Sequence, residues 1–141
     1  MKQTQIGWVV ILIIAIIDIS AFFQMPYSSG KNIFFGITTL VLLLSYNLTI
    51  RVTDEYVKFS FGIGLIRGKY KLSDIATCRP DSYFALGWGI RFRPEGILYN
   101  VSGNKAIELT FKHKAGKVWL GTNVPEELAE YINSKIRKDK L

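Results

Sequence analysis

Cysteine and histidine are nearly missing from this chain of 141 residues, with one of each, Cys78 and His113. A lone cysteine makes no internal disulfide and offers no ligand spacing for zinc. A disulfide-stapled secreted domain and a zinc finger are both excluded. Charge is missing from one region only. The first fifty residues carry Lys2, Asp18 and Lys31 and no other charged side chain, so almost all of the net charge of +7 lies beyond them. The length suits one folded domain, or one small domain with an appendage.

What fills the first fifty residues is apolar. Residues 6–23 form one run with Asp18 as its only ionisable group, and residues 33–50 form a second with no charge. At a helical rise of ~1.5 Å per residue, each covers ~27 Å, near the thickness of a bilayer's hydrocarbon core. The linker between them contains Pro26, Ser28, Ser29 and Gly30, which is turn composition. The expectation is a membrane α-helical hairpin, 1–50, followed by a domain at 51–141, with a first strand that can begin near 48. A cleaved signal peptide fits less well, because its apolar core is shorter and no small-x-small cleavage site follows. The loop offers only Lys31, whereas Lys2, Arg51 and Lys58 flank the other side. By the distribution of basic residues, the protein reads as multi-pass in the cell membrane, with both termini and 51–141 cytoplasmic.

A carboxylate inside a span is costly and needs a partner or a function. In an antiparallel hairpin Asp18 lies at the depth of Thr38 and Thr39. A hydrogen bond from one of those hydroxyls would tie the helices together. A proton or ion site is the competing reading.

From Leu48 the hydrophobic period changes to two. Leu48, Ile50 and Val52, then Val57, Phe59 and Phe61, then Ile66, Tyr70 and Leu72 alternate with polar residues. Ile90 and Phe92 alternate with Arg91 and Arg93, and Ile107, Leu109 and Phe111 with Glu108, Thr110 and Lys112. Val118 and Leu120 complete the set. About seven antiparallel strands, each with one wet face, follow from this pattern. Pro125-Glu126-Glu127 then opens a helix at about 125–138, with Leu128, Ile132 and Ile136 on one face and Lys135, Arg137 and Lys138 at its end. Such a helix can cap one opening of a bent sheet or partial barrel.

Several segments sharpen this reading. They are Lys71-Leu72-Ser73-Asp74-Ile75, Gly87-Trp88-Gly89-Ile90-Arg91, Tyr99-Asn100-Val101-Ser102-Gly103 and Gly121-Thr122-Asn123-Val124-Pro125-Glu126-Glu127-Leu128. With them the chain resembles the bacterial pleckstrin-homology-like (PH-like) domain family, in the version carrying two N-terminal transmembrane helices. The resemblance implies a membrane-tethered, non-catalytic interaction or scaffold module. Eukaryotic relatives of the fold often bind phosphoinositides through basic residues on the first strands, a region comparable to Lys58, Arg67 and Lys69 here. The departure is an acidic turn, Asp54-Glu55, and an apolar one, Gly62-Ile63-Gly64-Leu65, which argues against specific phosphoinositide recognition.

Little in the chain points to chemistry. His113 stands between Lys112 and Lys114 and reads as a surface residue, and Cys78 as a small buried one. Gly62, Gly64 and Gly68 miss the dinucleotide fingerprint, because a basic strand follows where a helix is required. No enzyme, cofactor or metal is expected. The basic strand faces, Lys58, Arg67, Lys69 and Lys71 with Arg91 and Arg93, are candidates for anionic lipid headgroups or an acidic partner. Trp88 is a candidate ligand or loop contact. One alternative is a lipid- or small-ligand-binding sensor at the barrel mouth near Trp88 and Arg91. Another is an accessory subunit of a membrane transporter or enzyme. A protein partner or homo-oligomer is compatible with each reading, and nucleic acid is not expected, since no recognition helix or RNA-binding aromatic motif is present.

Overall fold

In the computed structural model, residues 1–83 and 89–141 are described. The chain opens with a strand, β1 (Lys2–Ile6), which leads into two helices, α1 (Trp8–Gln24) and α2 (Ser29–Ser45). β2 (Asn47–Val52), β3 (Tyr56–Phe61) and β4 (Ile66–Lys71) follow, and with β1 they make an antiparallel sheet in the order β1-β2-β3-β4. The helical pair therefore connects two strands that are hydrogen-bonded neighbours, with Ile6 opposite Asn47. After a single 3-10 turn (Leu72–Asp74) come β5 (Ile75–Ser82), β6 (Gly89–Arg93), β7 (Gly96–Asn100), β8 (Lys105–Phe111) and β9 (Lys117–Gly121). They form a second sheet in the order β5-β8-β9-β7-β6, in which β7 and β9 run parallel. The C-terminal helix α3 spans Pro125–Asp139.

The N-terminal reading needs correction. Neither α1 nor α2, at 17 residues each, is long and apolar enough to cross a membrane, and no other helix among the described residues is. The runs were long in sequence because they borrowed apolar residues from strands. Ile6 belongs to β1, and Leu48 and Ile50 point into the core from β2. At its other end α2 begins with Ser29, Gly30, Lys31 and Asn32. The expected transmembrane hairpin, the multi-pass location and the sidedness deduced for both termini lose their basis. The expected seven antiparallel strands become nine among the described residues, one pair of them parallel. A boundary drawn after residue 50 falls inside β2.

The core lies between the two sheets and α3. Leu48, Ile50, Val57, Phe59 and Phe61 come from the first sheet, and Ile75, Cys78, Ile107, Leu109, Val118 and Leu120 from the second. Leu128, Ala129, Ile132 and Ile136 come from α3, whose apolar stripe packs chiefly on β5. Alternation at period two in the strands and about 3.6 in α3 is what aims these side chains at one volume. Lys135 of α3 pairs with Asp54 in the turn between β2 and β3. Its charge and hydrogen bond hold the Asp54 carboxyl below the usual range.

The helical pair is fastened to one end of the first sheet. Gly7 N donates to Tyr46 O at 2.8 Å, and Ile63 N, in the β3–β4 turn, donates to Leu43 O at 3.0 Å. Gly62 makes this possible: its φ is +49°, and a Cβ there would sit 1.9 Å from Leu43 O. Only glycine tolerates both conditions.

Candidate functional site

Strand register assembles the basic residues. Lys2 lies opposite Arg51, Arg51 opposite Lys58, and Lys58 opposite Lys69. All four are exposed, on the face turned away from the core, because Ile50, Val52, Val57 and Phe59 occupy the inward phase. Adjacent strands lie ~4.8 Å apart, so one row of four cations crosses the whole sheet over ~14 Å. The neighbouring row reads Thr4, Thr49, Ser60 and Arg67, adding three hydroxyls and a fifth cation. Among the described residues none of these five cations lies within ion-pair distance of a carboxylate. Like charges placed directly opposite destabilise a sheet, so the row has a cost in the free protein.

The face is concave. Arg51, Lys58, Arg67 and Lys69, with Thr49 and Ser60, line a groove of about 720 Å³ that Ile63 and Gly64 of the apolar β3–β4 turn close at one end. The Lys58 and Lys69 ammonium groups stand 5.7 and 5.0 Å from the Tyr56 ring centre, which limits their wandering. Lys71 lies at the end of β4 and faces a second concavity of about 460 Å³, shared with Lys69, Tyr70, His113 and Lys114.

The other expected residues are placed differently. Arg91 and Arg93 are half-buried, and the Arg93 guanidinium stacks over Tyr83 and Trp119, at 5.5 and 4.9 Å from their ring centres. Trp119 Nε1 donates to Asp81 at 2.9 Å, and nearby Glu108, nearly buried, pairs with Arg79 at 2.9 Å and Lys117 at 3.5 Å. This outer face of the second sheet is packed and charge-compensated, in contrast to the first. Its alternation is reversed at the edge: Phe92 is 83% exposed although it occupies the apolar phase. Trp88 lies outside the described residues.

No hydrogen bond joins Asp18 to Thr38 or Thr39. Thr38 Oγ1 donates back to Phe35 O at 3.1 Å, Asp18 Oδ1 is buried without a partner, and Thr39 is exposed. Cys78 is buried, and burial pushes its thiol up to about 12, so it is not a nucleophile at neutral pH. Sequence reasoning missed Lys2 and Arg51 as members of the site, since both were read only as flanks of a span. No family model matches the chain, and no curated protein matches it.

Proposed function

We propose that this protein is a non-catalytic interaction module that rests the outer face of its first sheet on an anionic lipid surface. The single observation that carries this reading is the register-aligned row Lys2–Arg51–Lys58–Lys69, which bears its own repulsion and no acidic partner. Such a row is relieved by an anionic surface that supplies many phosphates at once. Each cation near such a surface contributes ~1 kcal/mol, fading within a Debye length of ~10 Å at moderate salt. The concavity and the Thr49 and Ser60 hydroxyls add acceptor and donor contacts suited to headgroups. The two-sheet body with a helix packed along it supports the PH-like resemblance, which is carried forward as part of this reading.

Co-sedimentation of the full chain with lipid vesicles tests it. Binding should require anionic lipid and fall steeply as salt rises. Equal partition onto neutral and anionic vesicles, or none onto either, refutes the reading.

A further inference from the structure

The largest unexplained surface is the helical pair. On α1, Trp8, Val9, Leu12, Ile13, Ile16, Ile17, Ile19, Phe22 and Phe23 are all exposed. At about 100° per residue they sweep an arc of about 220°, broken by two polar side chains, Ser20 and, at the last position of the helix, Gln24. The inward remainder holds the buried Val10, Ile14 and Ala21. On α2, Ile33, Ile37, Leu40, Val41 and Leu43 are exposed as well.

The width of the arc identifies what covers it. A helix seated against one protein neighbour needs an apolar stripe of ~100°. A second copy of this chain would cover a stripe of that order and leave the rest of α1 in water. Lipid chains close around a helix from every open side. The polar groups of the pair agree. Lys31, its one cation, donates to Phe22 O at 2.8 Å and Met25 O at 3.3 Å, capping the end of α1. Ser45 Oγ donates to Val41 O at 2.6 Å, and Thr38 likewise bonds within its own helix. These groups are satisfied from within, as a medium without water demands, and Asp18 Oδ1, buried without a partner among the described residues, is the exception.

We infer that the α1–α2 pair lies within one leaflet of the lipid layer, beneath the headgroups and along the surface, without crossing. A helix is ~10 Å thick, which fits inside half of a ~30 Å hydrocarbon core. An ordinary interfacial helix keeps a polar face in water; α1 has none, and so sinks below the headgroups. Gln24, Ser28, Ser29 and Asn32, exposed at the tip, then reach back up to headgroup level. The apolar turn residues Ile63 and Leu65, exposed at the same end of the sheet, extend the immersed surface. This rests on the proposed lipid contact and adds the depth and posture of the helices.

The experiment uses the full chain with single cysteines at Leu12, Ile16, Phe23 and Ile37, labelled with an environment-sensitive fluorophore. Cys78 is buried and stays unlabelled. On anionic vesicles, all four labels should shift to the blue. Each should be quenched several-fold more by a nitroxide high on the acyl chain than by one near its end. A depth gradient along α1, or modification of Tyr27→Cys by a reagent trapped inside the vesicles, overturns the in-plane posture. Labels that stay unquenched while the protein still binds anionic vesicles overturn the immersion and leave the basic-face reading intact. Equal quenching on neutral vesicles does the reverse.

Discussion

Asn133 holds both backbone groups of Cys78: its Oδ1 accepts from Cys78 N at 3.1 Å, and its Nδ2 donates to Cys78 O at 2.7 Å. Cys78 sits on β5, an edge strand, so these groups have no strand to pair with. The side chain of α3 substitutes for the missing strand. Asn133→Ala removes both bonds and strands a partly buried amide and carbonyl, at a cost of about 2 kcal/mol in urea unfolding. Asn133→Asp keeps the acceptor and loses the donor, and should fall between. A loss in Asn133→Ala below a few tenths of a kcal/mol would show that water replaces the clamp.

The basic row makes binding and stability move in opposite directions. Lys58→Gln removes a charge that faces Arg51 on one side and Lys69 on the other. Relief of cross-strand repulsion should raise stability, by up to about 1 kcal/mol. Vesicle affinity should drop about five-fold, the equivalent of ~1 kcal/mol per cation. Arg93→Gln should leave vesicle binding unchanged and lower stability, because its guanidinium is stacked on Trp119. Thermal melts and vesicle titrations of the two variants check both signs.

Gly62 links the helices to the sheet, and its replacement reports on that joint. Gly62→Ala forces a side chain into Leu43 O at positive φ, and should cost about 1–3 kcal/mol. Gly64 also has positive φ, at 90°, but a Cβ there meets nothing within 4 Å. Gly64→Ala should therefore cost clearly less. Hydrogen exchange at Ile63 N, which bonds to Leu43 O, should speed up in Gly62→Ala and not in Gly64→Ala.

Alkaline pH should loosen the fold. Burial raises the Cys78 thiol from 9.0 to about 12, and it raises Tyr70 and Tyr83 as well. In each case the unfolded chain ionises first. The thiol's contribution is fully present below about pH 9, its unfolded value, and is lost as pH climbs toward 12. Each such group lowers stability by about 1.4 kcal/mol per pH unit once the pH passes its own unfolded value, 9.0 for the thiol and 10.0 for the two tyrosines. Cys78→Ala should start lower at pH 7 and decline less steeply, by about one proton's worth. Parallel curves for the two proteins would mean the thiol ionises in place.

Much of this site was legible in pieces. The Asp54-Glu55 turn pairs Arg51 with Lys58 by simple hairpin counting, and the alternation in β2, β3 and β4 tells which side chains face out. Lys2 was not legible. Its strand turns Gln3 and Gln5 inward, and Gln5 is only 2% exposed with its amide donating to Asn123 Oδ1 at 3.0 Å. A polar inward phase hides the period-two signal, and the pairing of β1 with β2 closes only after two helices. The same blindness lengthened the apolar runs, since Leu48 and Ile50 have the hydropathy of a helix interior and the register of a strand. The parallel pairing of β7 with β9 and the stacking of Arg93 rest on contacts distant in sequence, beyond the reach of local pattern.

Because Ile6 and Asn47 face each other across a strand pair, the helices behave as a removable cassette. A two-residue Asn-Gly turn can bridge the same gap, since such turns are the natural closure of adjacent antiparallel strands. Excision leaves every cation of the basic row in register and deletes the apolar helices. The trimmed chain should fold, dissolve readily and touch anionic vesicles only through charge. The reverse graft, the cassette set into another two-stranded turn, should carry lipid affinity with it.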